Sequence, residues 1–271
     1  MTKGIDVSSY QGRIDWELVK PNIDFAIIRC GWGNDDVRQD DVYYERNAQA
    51  CKELGIPFGV YLYSYATNLD EARSEVMHTL RLIKGKKLEY PVYLDVESKR
   101  QMALPKCKLI EIVKYYCEEI ESAGYYVGIY SSLDRFNSNL DSCELDAYDK
   151  WVAEWNDRFT YKGKAGMWQN TSREDLPGID ARVDGDISFY DFPKIIKDAG
   201  LNHLNEDNYK YKVCENVYVS GNVYESSEGS TVLEKVCDAK AVIEEIVNGA
   251  SAPYRISKGY VEEDSVFIKC E

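Results

Sequence analysis

From Gly4 to Ala199 short apolar runs alternate with amphipathic segments, and this alternation most constrains what the chain can fold into. The runs Gly4–Ser8, Asp24–Cys30, Phe58–Tyr65, Tyr93–Glu97, Tyr125–Tyr130, Trp151–Trp155, Ala165–Gln169 and Val183–Ile187 read as strands. Between them, Ile14–Val19, Tyr43–Leu54, a segment capped by Asp70 and running to Lys84, Lys106–Ala123 and Pro193–Ala199 read as helices. Gly55, Gly85 and Gly124 supply the stops. In the Lys106–Ala123 segment Leu109, Ile112, Val113, Tyr116 and Ile120 recur at helical spacing. Strands alternating with helices predict a parallel α/β arrangement, and about eight strands favour a barrel over an open sheet. The later strands are joined by less helix, so the expected architecture is an irregular (β/α) TIM-like barrel.

The Tyr90–Ser98 run ends in two acids, Asp95 and Glu97. Strand residues two apart share a face, roughly 6.5–7 Å from each other. Burying unpaired charge costs several kcal/mol, so such a pair belongs where a strand opens onto an active site, a metal or a structural acid pair. Barrel chemistry collects at strand ends, and further acids stand there: Asp6, Glu154 and the pair Asp184 and Asp186. Glu154 is read either as a cleft acid or as an outward-facing residue. The convergence favours a carbohydrate-cleaving cleft, which needs one acid to protonate the leaving oxygen and other carboxylates to meet the cationic sugar. Trp32, Tyr63, Tyr65, Tyr130 and Trp155 lie near strand ends, where rings with polar tips can stack on a pyranose. Gln169 is a candidate hydrogen-bonding partner.

Other classes are disfavoured. A net charge of −14 does not suit nucleic acid or an anionic membrane surface. No apolar run is long enough to span a bilayer, and neither a Walker A nor a G-x-G-x-x-G pattern occurs. The two histidines, His78 and His203, are too few for a zinc site or a Ser-His-Asp triad and read as bystanders; no metal or cofactor is expected. Eight cysteines without a C-x-x-C pair suggest reduced, mostly buried thiols. The N-terminus enters a strand at once, without the pattern of a secretory signal.

After Leu201 the character changes. Residues 202–208 read as a polar linker, and residues 209–271 as a small domain with strands near Val213–Val219, Gly259–Val261 and Val266–Ile268 and a helix over residues 231–247. This gives a small C-terminal α+β domain whose closing residues, 259–266, are similar to the end of SH3-like wall-binding modules.

The barrel half resembles a known family, the family 25 glycoside hydrolases or Chalaropsis-type lysozymes. The resemblance covers roughly residues 3 to 198 and rests on Gly4-Ile5-Asp6-Val7-Ser8, Asp95-Val96-Glu97, Gly128-Ile129-Tyr130, Trp151-Val152-Ala153, Trp168-Gln169, Pro177-Gly178-Ile179 and Val183-Asp184. It implies a metal-independent, retaining enzyme that cuts the β-1,4 bond between N-acetylmuramic acid and N-acetylglucosamine in peptidoglycan. It further implies Glu97 as general acid, Asp95 as the partner that stabilises the intermediate, and Asp6 and Asp184 as the remaining cleft acids. The family pattern V-D-x-N is here Val183-Asp184-Gly185-Asp186, an added negative charge at Asp186. A lysozyme barrel with a second module resembles a phage endolysin, made in a host cytosol and acting on the wall after release. Its partners would be peptidoglycan glycan strands and a wall ligand of the C-terminal domain; a homodimer through that domain is the alternative. A non-catalytic glycan-binding barrel and an autolysin or chitin-type glycosidase are the rival readings.

Overall fold

A computed structural model describes residues 1–204, 209–247 and 250–269. The chain divides into two compact units, Met1–Asn202 and a second beginning at His203. In the first, eight strands close into a barrel in chain order: β1 (Thr2–Val7), β2 (Phe25–Trp32), β3 (Phe58–Tyr63), β4 (Val92–Asp95), β5 (Val127–Ser132), β6 (Asp149–Ala153), β7 (Met167–Glu174) and β8 (Val183–Ser188). Neighbours from β1 to β7 are parallel, but β8 runs antiparallel to both β7 and β1. The residues between β7 and β8 form no helical crossover, and a short connection can only return the chain in the opposite direction. The acids of β8 therefore stand at the beginning of their strand, not at its end. The reversal still brings them to the same mouth, with Asp184 opposite Asp6 and Asp186 opposite Gly4.

Around the sheet lie α1 (Trp16–Val19), α2 (Tyr44–Leu54), α3 (Leu69–Ile83), α4 (Lys99–Met102), α5 (Lys106–Ser122), α6 (Leu133–Phe136) and α7 (Phe192–Asp198). Gly55 ends α2 in the left-handed region at φ 66°. The cap of α3 is Asn68 and not Asp70: its side chain accepts from the Glu71 N–H at 2.9 Å, while Asp70 falls inside the first turn. An N-cap needs extended backbone with its side chain turned back onto the third helical residue, a geometry Asn68 has.

Strand alternation sorts the barrel residues into two sets. One set, with Ile5, Val7, Ile28, Val60, Leu62, Val92, Leu94, Ile129 and Val152, packs against Ala48, Val76, Leu109, Val113 and Ile120 of the helices and forms the main core. The other set is out of phase by one residue and is rich in rings and polar groups. Tyr61, Tyr93 and Tyr130 surround Trp151 with ring centroids 5.9, 5.2 and 4.4 Å away. Gly128 leaves room for this cluster, since a Cβ there would sit 2.4 Å from the Tyr93 ring.

The second unit is a sheet of β9 (Asn216–Tyr224), β10 (Val232–Val242), β11 (Glu245–Ile246), β12 (Tyr254–Ile256), β13 (Gly259–Val261) and β14 (Val266–Phe267). The order is β10-β9-β13-β12-β11, with β14 also on β9, around Val217, Val219, Val223, Ile243, Tyr254 and Val261. The helix expected over residues 231–247 is instead the long strand β10 followed by β11. Half-covered Glu234 and Val236 alternate with exposed neighbours, and a bulge at Asp238 (φ 50°) shifts the phase before Ala239 and Ala241. That phase shift gives a period-2 pattern the look of a helical one. Among the described residues this unit contains no helix beyond a single turn, so it is a β module and not an α+β one.

Asn202 also departs from expectation, because it belongs to the barrel unit and not to a linker. Its side chain donates to the carbonyls of Leu88 (2.7 Å) and Tyr90 (3.1 Å) and accepts from Tyr126 N–H (2.7 Å), while its own N–H donates to Gly124. Residues 205–208 of the expected linker lie outside the described residues. Replacing Asn202 with Ala removes the side-chain partner of two buried carbonyls and a part-buried N–H and is expected to lower barrel stability by about 3 kcal/mol. Denaturant unfolding followed by the barrel's tryptophans measures it; a loss below about 0.5 kcal/mol would contradict this account.

Candidate active site

A cavity of about 530 Å³ opens at the barrel mouth and is lined by Asp6, Asp95, Glu97 and Asp184 together with Trp32, Tyr63, Tyr65, Tyr130 and Gln169. Trp155 is the exception among the expected residues. It is 65% exposed and lines a neighbouring depression with Trp168, Asn170 and Thr171.

Strand β4 stops at Asp95, so Asp95 and Glu97 do not share a strand face; Glu97 sits in the turn that enters α4. Both carboxyls still reach the cavity. The turn is tied on two sides: Ser64 N–H donates to Asp95 O (2.9 Å), Val96 N–H to Tyr130 O (2.9 Å), and Ser131 Oγ to Val96 O (2.6 Å). Asp95 is 3% exposed, and its Oδ1 has no hydrogen-bond partner. Burial pushes its carboxyl well above the ordinary range, the Glu97 charge adds to this, and Arg29 opposes it. Glu97 is exposed to the cleft, yet the surrounding atoms strip enough water to raise it, with a further push from Asp184.

The opposite wall holds three further acids. Burial lifts Asp184 to about 6 and Asp186 to about 8, and for Asp186 the Asp184 charge adds to the rise. Asp6 is raised well above its usual value by burial, then by Asp186 and Asp184. Neutral donors hold these groups: Trp151 Nε1 donates to Asp186 Oδ1 at 2.7 Å, and Gln169 Nε2 to Asp6 Oδ2 at 2.7 Å. Gln169 Oε1 in turn accepts from Tyr130 OH and Trp155 Nε1, both at 3.0 Å. The Gln169 amide is thus committed within the protein, where it fixes the orientation of Asp6. Trp155 reaches the site only through this bond.

Sequence reasoning missed Arg29, Tyr61 and Trp151, and the rim residues Ser9, Tyr10 and Gln11. Arg29 is nearly buried. It donates from Nε to Asp41 (2.9 Å) and from Nη2 to Ser9 Oγ (2.8 Å), and its guanidinium lies 5.2 Å from the centroids of both the Tyr10 and Trp32 rings. The signal was present: Arg29 alternates with Phe25 and Ile27, so it belongs to the inward set. Glu154 faces away from the cleft and fastens the next loop, accepting from Thr160 N–H (2.8 Å) and Thr160 Oγ1 (2.6 Å). His78 is buried between Gly33 O and Asp40 Oδ1, a structural bolt that does not line the cavity. Of the seven described cysteines, all free, Cys30, Cys51 and Cys117 are buried but Cys107, Cys143, Cys214 and Cys237 are exposed, against the expectation of mostly buried thiols; Cys270 lies outside the described residues.

A closed barrel with four carboxyls at one mouth has the chemistry of a glycosidase. The model of the family described as glycosyl hydrolases family 25 matches residues 5–179. The chain belongs to this family. As a family 25 glycoside hydrolase it is 28% identical over 198 residues to the Escherichia coli K12 protein described as "Uncharacterized protein YegX", with 68% of each chain covered. It is 26% identical over 154 residues to the autolytic lysozyme of Clostridium acetobutylicum, covering 56% of this chain and 45% of that one. The autolysin LytC of Streptococcus pneumoniae, solved with a synthetic peptidoglycan ligand, superposes with a TM-score of 0.61 at 31% identity, over 68% of this chain and 46% of that one. The chain therefore spans less than half of that autolysin's length.

The raised acids carry a pH signature. A carboxyl that titrates near 8 when folded, against about 3.9 unfolded, leaves the folded state holding the extra proton, so stability falls as pH rises across that window. Unfolding midpoints in urea are expected to drop from pH 5 to pH 8, and Asp186→Asn to flatten that drop and stabilise the protein at pH 8. A midpoint independent of pH, or a steeper drop in the variant, would contradict this.

Proposed function

We propose that the chain is a lysozyme-type N-acetylmuramidase that hydrolyses the β-1,4 bond between N-acetylmuramic acid and N-acetylglucosamine in Gram-positive peptidoglycan. The gathering of Asp6, Asp95, Glu97 and Asp184 around one cavity carries this reading. Glu97 is assigned as general acid. It is the carboxyl most open to the cleft, and burial and the Asp184 charge raise its affinity for a proton, which favours the protonated form a general acid needs. Asp95, buried beside it with a free oxygen, is assigned to the cation that develops on the sugar. Burial favours its neutral form, and positive charge at the anomeric carbon would draw it to the anion. Asp6 and Asp184 complete the negative wall, and Trp32, Tyr63, Tyr65 and Tyr130 are assigned to stacking and hydrogen bonding along the glycan. In the same reading the chain is endolysin-type, made in a host cytosol and acting on the wall after release, with the second unit holding a wall ligand.

The test is digestion of purified Gram-positive peptidoglycan. New reducing ends without new free amines are expected, and release of amines alone would overturn the assignment. Glu97→Gln is expected to retain fold and wall binding while losing at least about 10²-fold in rate. Near-normal activity in that variant would remove Glu97 from its role.

A further inference from the structure

Glu97 is placed by its backbone alone. Its carboxyl is perturbed by lost water and by Asp184, with no hydrogen bond to it among the described residues. The chain before it is fixed through Val96 by Tyr130 and Ser131. The chain after it is fixed by something the catalytic assignment does not use. Ser98 is 3% exposed and donates from Oγ to Gln101 Oε1 at 3.1 Å. Gln101, fully buried, donates from Nε2 to Ser64 Oγ at 2.7 Å. Ser64, also fully buried, donates onward to Glu75 Oε2 at 2.6 Å. Glu75 stands on α3 at 1% exposure, and its other oxygen accepts the N–H groups of Tyr65 (2.7 Å) and Ala66 (3.0 Å).

We propose that this buried relay, Glu75–Ser64–Gln101–Ser98, is a positioning device for the reaction: it fixes the turn bearing Glu97 and locks it to the turn bearing the cleft residue Tyr65. The relay has a direction, because Glu75 can only accept in its ionised form, which obliges Ser64 to donate to it and leaves Ser64 Oγ to accept from Gln101. Gln101 then turns its oxygen towards Ser98. One buried carboxyl thereby sets the orientation of every group up to the residue next to Glu97. A buried acid with no cation bonded to it is costly, and burial lifts Glu75 to about 7 in spite of its three hydrogen bonds. An apolar residue would serve packing alone at lower cost, whereas precise placement of a reacting proton needs such support, since small misplacements cost large factors in rate.

The proposal rests on the lysozyme reading, with Glu97 as acid. The experiment compares the full chain with Gln101→Met, Ser98→Ala, Ser98→Thr and Thr79→Val on solubilised Gram-positive peptidoglycan fragments, recording kcat, KM and melting temperature. Thr79 is the control: one turn after Glu75 on α3 and buried, its hydroxyl donates to the Glu75 main-chain carbonyl (2.9 Å) and bonds Tyr116 OH (2.7 Å), but makes no hydrogen bond to a side chain of the relay. Gln101→Met and Ser98→Ala are expected to lower kcat about tenfold with KM within about twofold. Ser98→Thr keeps the hydroxyl and is expected to keep kcat, and Thr79→Val to melt lower at unchanged kcat. A folded Gln101→Met with normal kcat overturns the relay. If that variant does not fold, Ser98→Ala decides in the same way. A wild-type chain that releases no reducing ends overturns the lysozyme reading instead, before any variant is compared.

Discussion

The structure depends on how carboxyl groups are accommodated inside a closed sheet. The barrel strands turn their aliphatic residues outward to the helices, and what remains inside is aromatic, amide and acid. These acids are met by neutral donors far more than by cations. Trp151 serves Asp186, Gln169 serves Asp6, and Tyr93 OH serves Asp149 at 3.0 Å, a carboxyl that burial also lifts to about 7. Neutral donors stabilise an ionised carboxylate less than a guanidinium does, so the interior settles near its protonation boundary. A barrel lined this way has proton donors close to neutrality at its mouth without any special device.

The alternation of strands and helices was legible because each outward-facing stripe is nearly pure aliphatic and the longer helices α2, α3 and α5 stop at or just before Gly55, Gly85 and Gly124. The acids were legible too, because carboxyls in apolar runs have few structural explanations. What was hidden was direction and partnership. Nothing in Val183–Ile187 tells that β8 runs against its neighbours; that follows from the connection after β7, where no crossover helix forms. Gln169 was recognisable as a site residue but not as an internal bracket, because its three partners come from β1, β5 and the segment after β6. Arg29 was passed over although it stands in phase with the inward set.

In the second unit the helix-like spacing comes from irregular register, shifted between Val232 and Glu234 and again between Val236 and Ala239. A bulge at Asp238 adds one residue to β10, and a strand whose inward set slips by one position reads as helix when spacing is counted along the whole segment. Asn202 was misassigned for the opposite reason. A polar residue amid polar neighbours looks like linker until its three side-chain bonds are seen.

The pairing of β1 with β8 sets Asp6 opposite Asp184, so the first carboxyl of the chain meets one of the last in the first unit. A ribosome must have delivered nearly the whole first unit before this seam can zip, since contacts so distant in sequence form late and slowly. A truncated nascent chain thus has most of its strands but an open cylinder, with the acids unassembled. Synthesis thus leaves the acid-lined cavity unbuilt until the unit is complete.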